Sequence, residues 1–305
     1  MLIVLNRFIV YYFSLVLLIG SLAYTPWVLA SYGMFPSELV FVFVIVGGVS
    51  PAIAALIVVR LEFGKGGVEY LFSQFSRKGF SKLWFLTAVL LPLALTVSAI
   101  LLWSIAGGIY VLDLTKLAEF PPILIVNFLM NMWEEIGWRG YALPALQKKH
   151  NALISSLIVG GFWALWHWPH FAVKDNVMAV NYHNYLWFAV FILLYSISYT
   201  WLYNYTNGSL FTVSLYHAST NAANTILFVE ANISHSIFPC YFLTVAILAT
   251  ALVFVFKQKL WFKQHYLKEK EEHGFQPRWF TSYSSTRLLS LKLFLGFHLP
   301  LLKPS

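Results

Sequence analysis

The sequence predicts an all-α polytopic membrane protein, a bundle of about eight transmembrane helices around a buried polar catalytic cavity. Three observations predict it. Of the 305 residues, 59% are hydrophobic and only 10% are charged, whereas a soluble domain carries roughly 25% charged residues. The chain holds 27 Phe, 17 Tyr and 12 Trp at a mean hydropathy of +0.71, more apolar surface than a globule of this size can hide. The apolar runs are long and continuous rather than short and alternating, so they read as helices and not as barrel strands. A soluble enzyme, a coiled coil and a disordered chain are excluded on these grounds.

Eight runs come close to the ~20 residues needed to cross a bilayer: 8–30, 38–59, 83–106, 121–143, 152–170, 184–205, 209–230 and 236–256. The first follows Arg7 and resembles a signal peptide. It is too long for an h-region and lacks a small-x-small cleavage site, so it is read as a span. Charge placement orients the set. With the N-terminus inside, seventeen of the twenty basic residues fall on the cytoplasmic side, only Lys116 and Lys174 fall outside, and Arg139 lies within a span. That segregation follows the positive-inside rule and places both termini in the cytoplasm. It also accounts for the net charge of +8 without nucleic acid as a partner.

Residues 1–256 are therefore expected to form the transmembrane domain. Residues 257–305 form a basic cytoplasmic tail, with an apolar piece at 288–302 that is too short to span and is expected to lie in the interface. The single cysteine, Cys240, allows no intrachain disulfide and has no base beside it in sequence to activate a thiol.

Ionisable groups inside spans cost roughly 2.5–3.5 kcal/mol each at mid-helix, so each needs a reason. The fourth span opens on Pro121-Pro122, where missing N–H groups do no harm. It then carries Glu134, Glu135 and Arg139. Glu135 and Arg139 are four apart, with the acid first, the favourable order for an ion pair on one face. They are expected to form a structural pair. Glu134 is rotated about 100° from Glu135 and has no partner on its own helix.

The fifth span carries His167 among aromatics, with His170 after Pro169 read as an interfacial residue. The seventh places His217 and Asn221 four apart on one face, beside the small residues Ala218, Ser219, Ala222 and Ala223 that permit close helix approach. Each of these has a packing explanation when taken singly: Glu134 in an interhelical network, His167 bonded to a backbone carbonyl, His217 and Asn221 as polar glue between helices. The set suggests chemistry instead. An unpaired Glu, two His and one Asn on three spans can converge on one cavity. A carboxylate and an imidazole there suit activation of water, and a second His and an Asn suit stabilisation of an oxyanion.

The order Glu-Glu-x-x-x-Arg, then a His closing an aromatic-led motif, then His-x-x-x-Asn resembles the CPBP intramembrane proteases, which include the type II CAAX prenyl endopeptidases and the bacteriocin self-immunity proteins. Glu134, Glu135 and Arg139 match the first motif, and Gly140 fits its continuation. His167 matches the histidine of Phe-x-x-x-His, with Trp163 standing in the Phe place. His217 and Asn221 match the third motif fully. The likeness covers roughly residues 80–256. It implies that Glu134 and His167 activate water, and that His217 and Asn221 stabilise the transition state.

The expectation is thus an intramembrane endopeptidase acting on a membrane-associated peptide or lipidated (CAAX-type) protein, with the bilayer as its medium. A glutamate-dependent site without metal is expected. The alternative is zinc at Glu134, His167 and His217, although no His-Glu-x-x-His motif supports it. Two other readings compete. One is a non-catalytic immunity or scaffold protein of the same fold. The other is a proton-coupled transporter carrying its proton on Glu134, which the absence of inverted repeats disfavours.

Overall fold

The computed structural model of the chain describes residues 7–255, apart from 112 and 230. The expectations for the tail at 257–305, including the piece at 288–302, lie outside the described residues. Among the described residues every regular element is helical. Beside three short 3-10 turns these are α1 (Arg7–Ser31), α2 (Val40–Ser73), α3 (Leu83–Ile105), α4 (Phe120–Glu135), a π-helix (Ile136–Ala142), α5 (Leu143–Gln147), α6 (Ala152–Trp166), α7 (Trp168–Ala172), α8 (Val177–Asn181), α9 (Tyr185–Tyr205), α10 (Leu210–Asn224), a second π-helix (Thr225–Val229) and α11 (Ser234–Val255).

The molecule is inside-out relative to a soluble protein. Phe41, Ile105 and Leu186 are 72–84% exposed, while Glu135 and Arg139 have no exposed surface. Large apolar side chains outside and an ion pair inside are what a hydrocarbon solvent selects. Among the described residues five helices are long and apolar enough to cross a bilayer: Arg7–Ser31, Ser37–Ser76, Leu83–Ile105, Tyr185–Tyr205 and Ser234–Phe254. The other three expected spans, 121–143, 152–170 and 209–230, are also helical, but each is broken or shortened. These three carry Glu134, Glu135, Arg139, His167, His217 and Asn221. Polar residues lower their hydropathy, and local breaks divide them into shorter helices.

Most of the helix ends have a local cause. α4 begins at Phe120 with Pro121 in its first turn, where a missing N–H costs nothing. The expected continuous helix 121–143 instead widens to π-helix after Glu135, a feature frequent at functional sites. Gly137 lies in this segment, pressed against α2: a Cβ there would stand 2.5 Å from the Pro51 carbonyl oxygen. α6 starts at Asn151, whose side chain accepts from the Ile154 N–H at 2.8 Å, and ends at Trp166. Pro169 cannot continue it, having no N–H and a ring that conflicts with the preceding turn. α10 starts at Ser209, whose hydroxyl accepts from the Thr212 N–H at 3.3 Å. α2 runs well beyond the expected 38–59, through a kink at Gly64 with φ 68°, a left-handed conformation that glycine adopts without steric cost.

Packing brings the three broken segments together. α10 lies against α4 and α3, and α6 lies against α9. The first π-helix packs on α2, and the Trp166 indole of α6 donates to Ser50 Oγ of α2 at 2.9 Å.

Candidate active site

Glu135 and Arg139 form an ion pair at 3.2 Å with neither side chain exposed. A buried pair of this kind needs further partners to offset desolvation. Arg139 Nη2 donates to Ser196 Oγ at 3.4 Å. Its guanidinium carbon lies 4.5 Å from the ring centres of both Trp163 and Tyr199, an aromatic sandwich that suits a desolvated cation.

The same carboxylate oxygen that pairs with Arg139 reaches a second helix. Glu135 Oε1 lies 2.8 Å from His217 Nδ1. A carboxylate can only accept, so Nδ1 carries the proton. The pair read from sequence as purely structural therefore also orients one of the histidines. Sequence reasoning missed this connection, because the register of α10 against α4 is a tertiary fact.

Glu134, one residue earlier, points elsewhere. Its Oε2 accepts from the Trp163 indole Nε1 at 2.9 Å, across from α4 to α6. Its partner is thus on another helix, a residue that sequence reasoning used only as a stand-in for Phe. The signal available was the Trp itself, since an indole N–H in an apolar helix needs an acceptor.

His167 caps the end of α6. Its Nδ1 lies 2.8 Å from the Trp163 carbonyl oxygen. The carbonyl only accepts, so Nδ1 again carries the proton and Nε2 keeps a lone pair. The bond to a backbone carbonyl, anticipated as a packing role, thus selects a tautomer. His170, expected at the interface, packs among Tyr24, Trp27 and Trp166, with its ring 5.4 Å from that of His167. His217 is 5% exposed and sits edge-on to Trp163 and Tyr199, each at 5.4 Å. Asn221 lies one turn along α10 from His217, half-buried, and makes no side-chain hydrogen bond with the described residues.

Trp163 joins the set. It bonds to Glu134 and His167, and its ring touches Arg139 and His217. The three broken helices therefore do meet. Among the described residues, however, no three His, Cys, Asp or Glu side chains are grouped to hold a metal ion.

Residues 116–223 match the family described as Type II CAAX prenyl endopeptidase Rce1-like. The chain is 30% identical over 113 residues to CAAX prenyl protease 2 of Methanococcus maripaludis, covering 36% of this chain and 42% of that protein. It is 28% identical over 148 residues to Lysostaphin resistance protein A of Staphylococcus haemolyticus, covering 48% of this chain and 39% of that protein. The chain thus spans less than half the length of the curated relatives it matches. The family match covers Glu134, Glu135, Arg139, His167, His217 and Asn221 together, and over that segment this membrane protein is similar to the type II CAAX prenyl endopeptidases.

Proposed function

We propose that the protein is an intramembrane endopeptidase that hydrolyses a peptide bond in a membrane-associated substrate, such as a prenylated peptide or protein of CAAX type. One observation carries the reading. Two hydrogen bonds fix the two imidazoles so that each turns its Nε2 away from its own anchor: His167 through the Trp163 carbonyl, His217 through Glu135. Imidazoles held in this way are prepared for proton transfer or for contact with a reacting group.

In the proposed reaction Glu134 and His167 activate a water molecule. Its oxygen attacks the scissile carbonyl carbon while its proton passes to Glu134 or to His167 Nε2. The negative charge that develops on the carbonyl oxygen is met by the Asn221 amide N–H and by His217, which donates through Nε2 in its doubly protonated form while Glu135 holds Nδ1–H. Collapse of the tetrahedral intermediate breaks the C–N bond, and the held proton goes to the leaving amine. Glu135 and Arg139 hold His217 in place and do not touch the substrate. Burial of the site in a low-dielectric interior strengthens each of these interactions. No metal enters this scheme.

Beside it stands a second reading, a non-catalytic immunity or scaffold protein of the same fold, and the chain is also similar to a protein named for resistance, Lysostaphin resistance protein A. One experiment separates the two. Purified full-length protein in proteoliposomes is offered a fluorogenic farnesylated peptide, beside its Glu134→Gln variant. Cleavage by the wild type and none by the variant is the expected result. An inert wild type, or a variant that cleaves as fast, overturns the catalytic reading.

A further inference from the structure

Trp163 holds both of the proposed water-activating groups. Its indole Nε1 donates to Glu134 Oε2 at 2.9 Å, and its backbone carbonyl accepts from His167 Nδ1 at 2.8 Å. The helix explains the second bond, since residues 163 and 167 are one turn apart at the end of α6. The first bond crosses to α4. The side chain is 3% exposed, so its indole N–H is shielded from solvent and needs a protein acceptor.

We propose that Trp163 is a positioning residue for this reaction, its indole N–H holding Glu134 in one orientation and leaving Oε1 as the oxygen that meets the water. The inference rests on the function proposed above. A glutamate side chain is long and flexible. It works as a base only when something stops it from rotating, and a charge-assisted hydrogen bond in an apolar setting does so with directional force. The nearby Arg139, on the adjoining π-helix, directs its two terminal nitrogens to Glu135 and Ser196 and not to Glu134. Phenylalanine at position 163 would keep an aromatic face toward Arg139 and His217, and would keep the backbone carbonyl that holds His167. It would remove the N–H together with part of the buried bicycle, so a bicyclic replacement without the N–H is needed beside it.

Trp163→Phe in the full-length protein is the test, read on the same farnesylated peptide. A misplaced reacting group costs on the order of 10²-fold, so kcat should fall by about 10- to 100-fold. KM should stay within about twofold, because the lost interaction acts on the transition state. A second replacement guards against a packing effect. 3-Benzothienylalanine at 163 keeps the bicyclic shape with sulfur in place of the N–H, and should give the same loss at an unchanged melting temperature. A spectroscopic signature completes the test. The indole 15N–1H resonance of Trp163, assigned by its absence from Trp163→Phe, should move upfield in Glu134→Met, where the acceptor is gone. Wild-type kcat in both Trp163 replacements, or an unmoved resonance in Glu134→Met, overturns the inference. A dead Glu134→Gln beside a fully active Trp163→Phe overturns this inference alone. An active Glu134→Gln overturns the proposed function and this inference together.

Discussion

Glu135 Oε1 stands 2.8 Å from His217 Nδ1 and 3.2 Å from Arg139 Nη1. One oxygen thus ties the site's histidine on α10 to the ion pair of α4 and its π-helix. The adjacent Glu134 has a different partner, Trp163. Two neighbouring acids on one helix therefore have different partners, because a step of about 100° turns them toward different helices.

The first prediction concerns that shared oxygen. Arg139→Leu leaves a buried carboxylate without its cation, and Glu135→Leu leaves a buried guanidinium without its anion. Each should lower stability by about 3–5 kcal/mol. The double change should recover part of the loss. Glu135→Leu should in addition lower turnover more than Arg139→Leu does, since it alone releases His217 Nδ1. Thermal melts in detergent and initial rates above the KM check this. Wild-type melting in both single variants would show that the pair is not desolvated.

Asn221 separates catalysis from packing. If its amide meets the developing oxyanion, Asn221→Ala should cost about 10²–10³ in kcat with KM near wild type. Interhelical hydrogen bonds in membranes average only about 0.6 kcal/mol. As polar glue Asn221 would instead show a small drop in melting temperature and near-normal turnover. Steady-state kinetics beside a melting curve tell the two apart.

Gly137 tests the contact between the π-helix and α2. A methyl group at this position meets the Pro51 carbonyl oxygen at 2.5 Å, and backbone cannot step aside as a side chain can. Gly137→Ala should therefore cost about 1–3 kcal/mol by overpacking, with a further loss of activity as Glu135 and Arg139 shift. Gly161 on α6 is the control, because nothing stands within 4 Å of an added Cβ there. Gly161→Ala should melt at or above wild type, alanine being the better helix former by about 1 kcal/mol. Equal melting of the two variants would contradict the close approach.

Orientation in the bilayer is open to direct labelling. In a Cys240→Ala background, a cysteine replacing the exposed Lys78 should react with a membrane-impermeant maleimide only from the cytoplasmic side. One replacing the exposed Lys174 should react only from outside. The prediction follows from the positive-inside segregation of Lys and Arg. Labelling on the opposite sides would invert the topology and move the route by which substrate reaches Glu134.

The sequence by itself determined the class and the cast. Its low charge and long apolar runs required helices in lipid, because no soluble surface can be built from them. The cost of ionisable groups in such runs singled out Glu134, Glu135, Arg139, His167 and His217 without reference to shape. The spacing of Glu135 and Arg139 was sufficient to read their pairing, since one helical turn is a local rule. What the tertiary structure decided is which helix each residue faces. That Glu134 reaches Trp163 and Glu135 reaches His217 depends on the register of α4 against α6 and α10, and no local rule sets interhelical register. The break at Glu135 was equally hidden, whereas Pro169 signalled the end of α6 near Trp166. The π-helix packs on α2, where Gly137 meets Pro51, and periodicity within one helix carries no record of its neighbours.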